Sequence, residues 1–399
     1  MTGPRTAALD LADLGFDEGA HLLLRRSLLG LAPGERLSVT GRRPDLAAHL
    51  GAWCRSHGHD VIRPATAGSP TVVVRGRKDL DRWAGAGRAG DPAPGRVEAR
   101  AEPSWGLAAR GALVEAGGAD AGFDLLDREL LWSDIAPRLY AHAASAQWDP
   151  ASVPWDAEFS LPPEIETAVV QVMTYLVENE QAALVIPARF LARMHPHFRE
   201  VLQLLAVQAA DEARHMEVFS RRALLRGDTL GTSSAGSRAS LATLLGEPDF
   251  SLASFLLSVL GEGTFLNLLG FLETYAPDPV TRQITHLARQ DEARHVAFGV
   301  AHLHQQLSTD RTLTARLRAA VERRHLQLTD TAGLNEDVLD ALVVLAAGSW
   351  EPAAVSRGFR AVQQLQAEMD VGRQRRLVHL GFPADEAEAL SALHTRNFM

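Results

Sequence analysis

The stretch that decides the fold is Asp211-Glu212-Ala213-Arg214-His215, which recurs unchanged as Asp291-Glu292-Ala293-Arg294-His295, 80 residues later. Both copies sit in segments with the apolar spacing of long helices. Each contains Glu-x-x-His, and on a helix residues three apart share one face, so a carboxylate and an imidazole project together. Such a pair grips one metal ion from two directions. Two such helices facing each other would hold two ions. One Glu-x-x-His alone is usually an ordinary helix surface, because Glu, Arg and Ala are good helix formers. Two identical copies point to a site.

Working outward, four helices are expected around these motifs. The first starts at Pro162-Pro163, suited to a helix start, and runs to about residue 194. The second runs from about Pro196 to Gly227, the third from about Phe250 to Tyr275, and the fourth from about Pro279 to Leu307. Tight joins within each pair and one long connection between the pairs describe a crossover four-helix bundle. A two-metal bundle site also needs a carboxylate from each of the other two helices. On the third helix it is Glu262, whose same-face neighbours are Phe255, Val259, Phe265, Leu266 and Leu269. A carboxylate in an apolar stripe must be neutralised or bound to a cation. Glu273, near the helix end, reads as solvated. On the first helix Glu180 is preferred, since its face carries Met173, Leu176, Ala183 and Leu184. Glu178, on a more polar face, is the alternative ligand. Glu180 lies 32 residues before Glu212 and Glu262 lies 30 before Glu292, so the halves repeat as a pseudo-two-fold site requires. Four carboxylates balance two Fe(II) ions, and mixed oxygen and nitrogen ligation suits Fe or Mn better than a sulfur-rich zinc site.

Composition narrows the function classes. The chain has 399 residues, 46% of them apolar, and a net charge of −9, which argues against nucleic acid and anionic membrane surfaces. Lys78 is the single lysine and Cys54 the single cysteine, so no disulfide framework or cysteine-based metal site is expected. With no signal peptide and no apolar run of membrane-spanning length recognised, a soluble cytoplasmic protein is expected. The expected domains are 1–83, a small α+β unit with strands at Leu37–Thr40 and Thr71–Val74; 84–150, a Gly/Ala/Pro/Arg-rich linker and connecting helical segment; 151–310, the bundle; and 311–399, additional helices packed on it.

At these residues the chain resembles the ferritin-like di-iron carboxylate proteins, in particular the oxygenases. Glu180-Gln181-Ala182-Ala183 looks like the Glu-x-Ala-Ala of bacterial multicomponent monooxygenase hydroxylases. Glu262-Gly263-Thr264-Phe265-Leu266-Asn267 is similar to their third-helix ligand segment, and the pentapeptides match their paired motifs. The resemblance covers about residues 160–307. It implies that Glu180, Glu212, His215, Glu262, Glu292 and His295 are metal ligands for two Fe ions, or Fe and Mn, with Asp211 and Asp291 behind them orienting the histidines. Three departures stand out: Leu266 where those hydroxylases carry threonine, Phe219 where ribonucleotide reductase small subunits place a radical tyrosine, and Ala288 where arylamine N-oxygenases carry an extra histidine. A single-chain biosynthetic oxygenase fits best. It would activate O2 to hydroxylate, N-oxygenate or desaturate a small organic substrate, with no catalytic residues beyond the metal ligands.

The same resemblance implies O2, a small-molecule substrate and an external electron donor, a ferredoxin or reductase, as partners, with a homodimer possible. Ala183, Leu184, Val259, Phe265 and Leu266 are the expected pocket residues, and Gly261 and Gly263 either leave room for substrate or let helices pack closely. The alternative function is a ferritin-like iron oxidase or peroxide scavenger without organic substrate, and a metal-free scaffold is a third class. The N-terminal part is similar to the TusA-type sulfur-carrier fold through Leu31-Ala32-Pro33-Gly34-Glu35-Arg36-Leu37, Asp45 and the Trp53–Asp60 segment. The family's nucleophilic cysteine would fall near Asp17-Glu18, where none exists, so a docking or oligomerisation module is expected. His195 and His197 read as capping residues at a helix junction, His302 as a histidine that could face the bundle interior, and Trp148 and Trp155 as packing residues.

Overall fold

The computed structural model describes residues 6–64, 66, 69–93, 95–328 and 336–394, which form two compact units. The smaller comprises residues up to Ala89 together with Gly111–Ala119. Its order is β1 (Thr6–Asp10), α1 (Ala20–Leu29), β2 (Arg36–Thr40), α2 (Leu46–His57), β3 (Asp60–Ile62), β4 (Thr71–Val74), a short α3 (Lys78–Arg82), and a two-stranded ribbon of β5 (Gly87–Arg88) and β6 (Leu113–Val114). The main sheet runs β1-β2-β4-β3, with β1 parallel to β2 and the other pairs antiparallel. The parallel pair needs a crossover, and α1 supplies it. Alternate residues Leu37, Val39 and Val73 enter one core with Leu24, Leu28, Leu50 and Cys54. Cys54 is fully buried there and its thiol is pushed up to about 12 by that burial, which makes it a small core residue rather than a nucleophile.

The larger unit, Gly90–Arg110 and Asp120–Met399, is helical. After α4 (Ala136–Ser145) come the four long elements: α5 (Pro163–Leu191), α6 (Arg199–Ala223), the third helix, and α10 (Pro279–Thr309), with α7 (Ala235–Leu245) in the crossover. This is the expected crossover four-helix bundle, followed by α11 (Leu313–Leu328), α12 (Glu336–Ala347), α13 (Pro352–His379) and α14 (Ala384–His394). Within the stretch expected as linker, Arg110 of this unit is buried and pairs with Glu200 at 2.6 Å. His195 caps the turn Pro196–Phe198 by accepting from the His197 N–H at 3.0 Å.

The third helix departs from the expected continuous α-helix. It is α8 (Phe250–Ser254), a π-helical segment (Phe255–Glu262) and α9 (Gly263–Thr274). The whole of Phe250–Thr274 is long and apolar enough to cross a membrane, which corrects the expectation that no stretch reaches that length. In this fold 83% of the most apolar window is buried inside the protein, as in the core helix of a bundle. The wider π turn ends on Glu262. Two of its carbonyls take side-chain donors: Arg376 Nε on α13 donates to Val259 O at 2.7 Å, and Thr264 Oγ1 of the same helix to Leu260 O at 2.6 Å. Gly299 on α10 lets this segment approach, since a Cβ there would lie 2.5 Å from that of Ser258.

Candidate metal centre

Four helices each send a carboxylate to one point. Glu180 on α5, Glu212 on α6, Glu262 at the end of the π segment and Glu292 on α10 are all 1% exposed or less, and His215 and His295 lie among them. The candidate donor atoms fall into two sets, each within 4.8 Å: Glu180, Glu212, His215 and Glu292; and Glu212, Glu262, Glu292 and His295. Glu212 and Glu292 belong to both, so the carboxylates of the two Glu-x-x-His motifs occupy bridging positions. Each set adds its own terminal Glu and its own His. His215 Nδ1 is 3.1 Å from Glu212 and 3.6 Å from both Glu180 and Glu292. His295 Nδ1 is 3.1 Å from Glu212 and 3.4 Å from Glu292. The structure thus brings together all six expected ligands. Glu178 is elsewhere, half-buried and accepting from Ser237 Oγ at 3.3 Å.

The residues present fit a pair of metal ions. One oxygen each of Glu180, Glu212, Glu262 and Glu292, and Nδ1 of His295, are buried without any hydrogen bond. A buried polar atom without a partner is costly, and all five point into the one cluster. Burial drives Glu180 and Glu262 well above the usual carboxylate range, reinforced by the charges of Glu212 and Glu292. Burial also pushes Glu212 upward, but His295 and His215 more than offset it and hold it below that range. Both imidazoles resist charging through burial, yet the surrounding carboxylates, Glu180 foremost for His215 and Glu212 for His295, hold them well above their ordinary value. Protons are standing in for cations. Two divalent ions would neutralise four carboxylates without them.

Behind the cluster lies a second layer of charged residues. His215 Nε2 faces Asp291 Oδ2 at 3.1 Å, and His295 Nε2 faces Asp211 Oδ2 at 3.2 Å. Each histidine is therefore oriented by the aspartate of the other motif. The carboxylate fixes the proton on Nε2 and leaves the Nδ1 lone pair for a metal. Arg214 pairs with Asp211 and, at 3.1 Å, with Asp291; Arg294 pairs with Asp291 and, at 3.4 Å, with Asp211. Two aspartates and two arginines make a neutral layer. Gln147 Nε2 donates to Asp211 at 3.0 Å and Trp148 Nε1 to Asp291 at 2.8 Å. Trp148, expected only to pack, thus holds a carboxylate of this layer. Trp155 does pack, under Arg221 at 4.0 Å. On the other side, Gln208 Nε2 donates to Glu262 Oε1 at 3.0 Å. Sequence reasoning passed over Gln147, Gln208 and both arginines. The arginines alone carried a signal, being the fourth residue of the repeated pentapeptide.

A small cavity of about 20 Å³ adjoins Gln208 and Ser258, walled by Ile186, Pro187, Phe190, Leu205, Phe250, Leu257 and Phe298 among others. The expected pocket residues Ala183, Leu184, Val259, Phe265 and Leu266 are not among those that line this cavity. Gly263 serves close packing: a Cβ there would lie 2.4 Å from Arg376 Nε. His302 is fully buried against Phe250 and Phe298, its Nδ1 3.2 Å from the Trp132 carbonyl, and burial lowers it to about 4.

No protein-family model matches this chain, and no curated protein matches it. Solved structures similar to the chain include a mutant R2-like ligand-binding oxidase with an aerobically reconstituted Mn/Fe cofactor, at 20% identity and a TM-score of 0.42 over 59% of this chain and 94% of that one. A second mutant with an anaerobically reconstituted Mn/Fe cofactor matches at 19% identity and a TM-score of 0.42, over 59% and 94%. A third, with an aerobically reconstituted Fe/Fe cofactor, matches at 18% and 0.41, over 66% and 92%. At these values the reading of the site rests on its own geometry.

Proposed function

We propose that the larger unit is a di-metal oxidase, binding two Fe ions or one Fe and one Mn and activating O2. The observation that carries this is the convergence of four carboxylates and two imidazoles, with five donor atoms left without hydrogen bonds. When bound, the ions supply the electrons that O2 requires. The chain's own residues do the rest. Asp211 and Asp291 hold both histidines in the tautomer that offers Nδ1. Gln208 holds Glu262 against one set of donors, and the apolar walls around Phe190, Leu257 and Phe298 keep water from the site.

The finer reading is an oxygenase acting on a small organic molecule, with electrons from a separate ferredoxin or reductase. A second reading is an iron oxidase or peroxide scavenger without organic substrate. The cavity of about 20 Å³ beside Gln208 and Ser258 has room for a guest of water or O2 size, which is all that the second reading requires. The smaller unit, in the order βαβαββ, fits the proposed sulfur-carrier-like module, acting in docking or oligomerisation rather than sulfur transfer.

The test is metal content after anaerobic Fe(II) loading and desalting. About two irons per chain are expected for a site of this type, with a clear fall in Glu292→Ala. A wild-type chain that retains no iron or manganese sinks the proposal. Substrate-dependent against substrate-independent O2 uptake then separates the two readings.

A further inference from the structure

Outside the carboxylate cluster, the larger unit buries a second group of charges, and these are nearly all positive. Arg324 on α11 and Arg373 on α13 are 5% and 2% exposed, His394 on α14 is 6% exposed, and Arg376 on α13 is half-buried. Buried guanidiniums are ordinarily paired with carboxylates. Here their partners are neutral. Arg324 donates to Thr243 Oγ1, Ser240 Oγ and His394 Nδ1 at 2.7–3.1 Å. Arg373 donates to Ser391 Oγ at 3.0 Å and to Thr264 Oγ1 at 3.4 Å. Among the described residues, one ion pair reaches the three arginines: Asp370 to Arg373, at a long 3.8 Å. That carboxylate is already engaged by Ser391 Oγ at 2.6 Å.

Among the described residues, two donors in this group have no acceptor. Arginine carries only donors, so His394 Nδ1 must accept from Arg324, and the proton of the neutral ring sits on Nε2. His394 Nε2 is buried and unpartnered, and so is Nη2 of Arg376. Burial first, then the charges of Arg324, Arg373 and Arg376, pull His394 well below its ordinary value, so these groups share one electrostatic neighbourhood. The burial of Arg373 and Arg376 brings both down to about 10. Excess positive charge and unmet donors together define what is missing: an acceptor with negative charge and more than one oxygen.

We propose that Arg373, Arg376 and His394 form a binding site for an oxyanion, the carboxylate or phosphate group of a small molecule, beside the third helix. Its position gives it consequence. Arg376 lies on Gly263 and holds the Val259 carbonyl, while Arg373 reaches Thr264, so the site grips the chain on both sides of Glu262. Arg376 alone of the group also lines an open cleft of about 710 Å³, beside Val296, Ala297 and Val300 of α10, so the group is reached from solvent at Arg376.

The test is calorimetric titration of the full chain with phosphate, sulfate and acetate, at ionic strength held constant with chloride, with and without Fe(II). Saturable binding is expected in both metal states. It should weaken by roughly tenfold or more in Arg376→Gln and in His394→Gln, as loss of a charge-assisted donor implies, and be largely kept in Arg376→Lys. Preference between phosphate and acetate identifies the group recognised. Failure to saturate in wild type overturns the proposal, as does unchanged affinity in both Gln variants. Binding seen solely after Fe(II) loading also overturns it, because it assigns the anion to the metal centre.

Discussion

Two buried charged groups in the same bundle follow opposite rules. Around Arg222, which is fully buried, every donor is met: Glu166 at 2.7 and 3.0 Å, Asp278 at 2.8 and 3.2 Å, and Thr281 Oγ1 at 3.0 Å. The carboxylate cluster, equally buried, leaves four oxygens and one nitrogen unmet and crowds like charges together. A charge group that serves the fold closes on itself, because an unpaired buried charge costs several kcal/mol. A group that serves a ligand stays open and is finished by that ligand. The aspartate–arginine layer behind the cluster balances its own charge while it aims the histidines at the open side.

The largest effect should come from the closed group. Arg222→Met, which strands Glu166 and Asp278, is expected to destabilise the chain by about 3–5 kcal/mol in chemical denaturation, with metal content per folded chain unchanged. Glu262→Gln should do the reverse. Metal retention is lost, while the metal-free chain unfolds at the same denaturant concentration or higher, because the cost of keeping a buried carboxyl protonated is gone. Equal destabilisation in both variants would erase the distinction.

Asp291→Asn removes the acceptor that fixes His215. We expect metal affinity to fall about 10–100-fold, measured by competition with a chelator, with little loss of helix content. Trp148→Phe should act in the same direction but less, by about 1 kcal/mol, since Arg214 still reaches Asp291.

The pH dependence sharpens the contrast further. His215 and His295 have raised values in the folded chain, so their stabilisation is fully present below about 6.5 and is lost as pH rises through the folded values. The raised Glu180 and Glu262 act with the same sign from about 4.5 upward. The melting temperature of the metal-free chain should therefore fall between about pH 6 and 9. With Fe(II) or Mn(II) present the trend should flatten or reverse, because the metals displace those protons. Parallel curves with and without metal would show that the cluster does not titrate through the metal site.

The six converging residues were legible because each obeys a local rule. Glu-x-x-His fixes two donors on one helix face, and Glu180 and Glu262 each sit in an apolar stripe where a free carboxylate has no place. What was illegible depends on chain segments far apart in sequence. The aspartates orient the histidines of the opposite helix, so spacing within one helix could not reveal the pairing. Gln147 and Trp148 reach Asp211 and Asp291 from 64 and 143 residues away. No residue pattern announced the π turn at Phe255–Glu262.

By itself, then, the sequence determined the bundle, its approximate helix limits and the six residues that converge, because helical periodicity and the cost of burying a charge act over a few residues. The tertiary structure decided which carboxylates bridge, which histidine nitrogen faces the cluster and how small the cavity is. It alone placed Arg324, Arg373, Arg376 and His394, from three helices, in one electrostatic neighbourhood. Those outcomes depend on packing and on distances across the bundle, which no local pattern encodes.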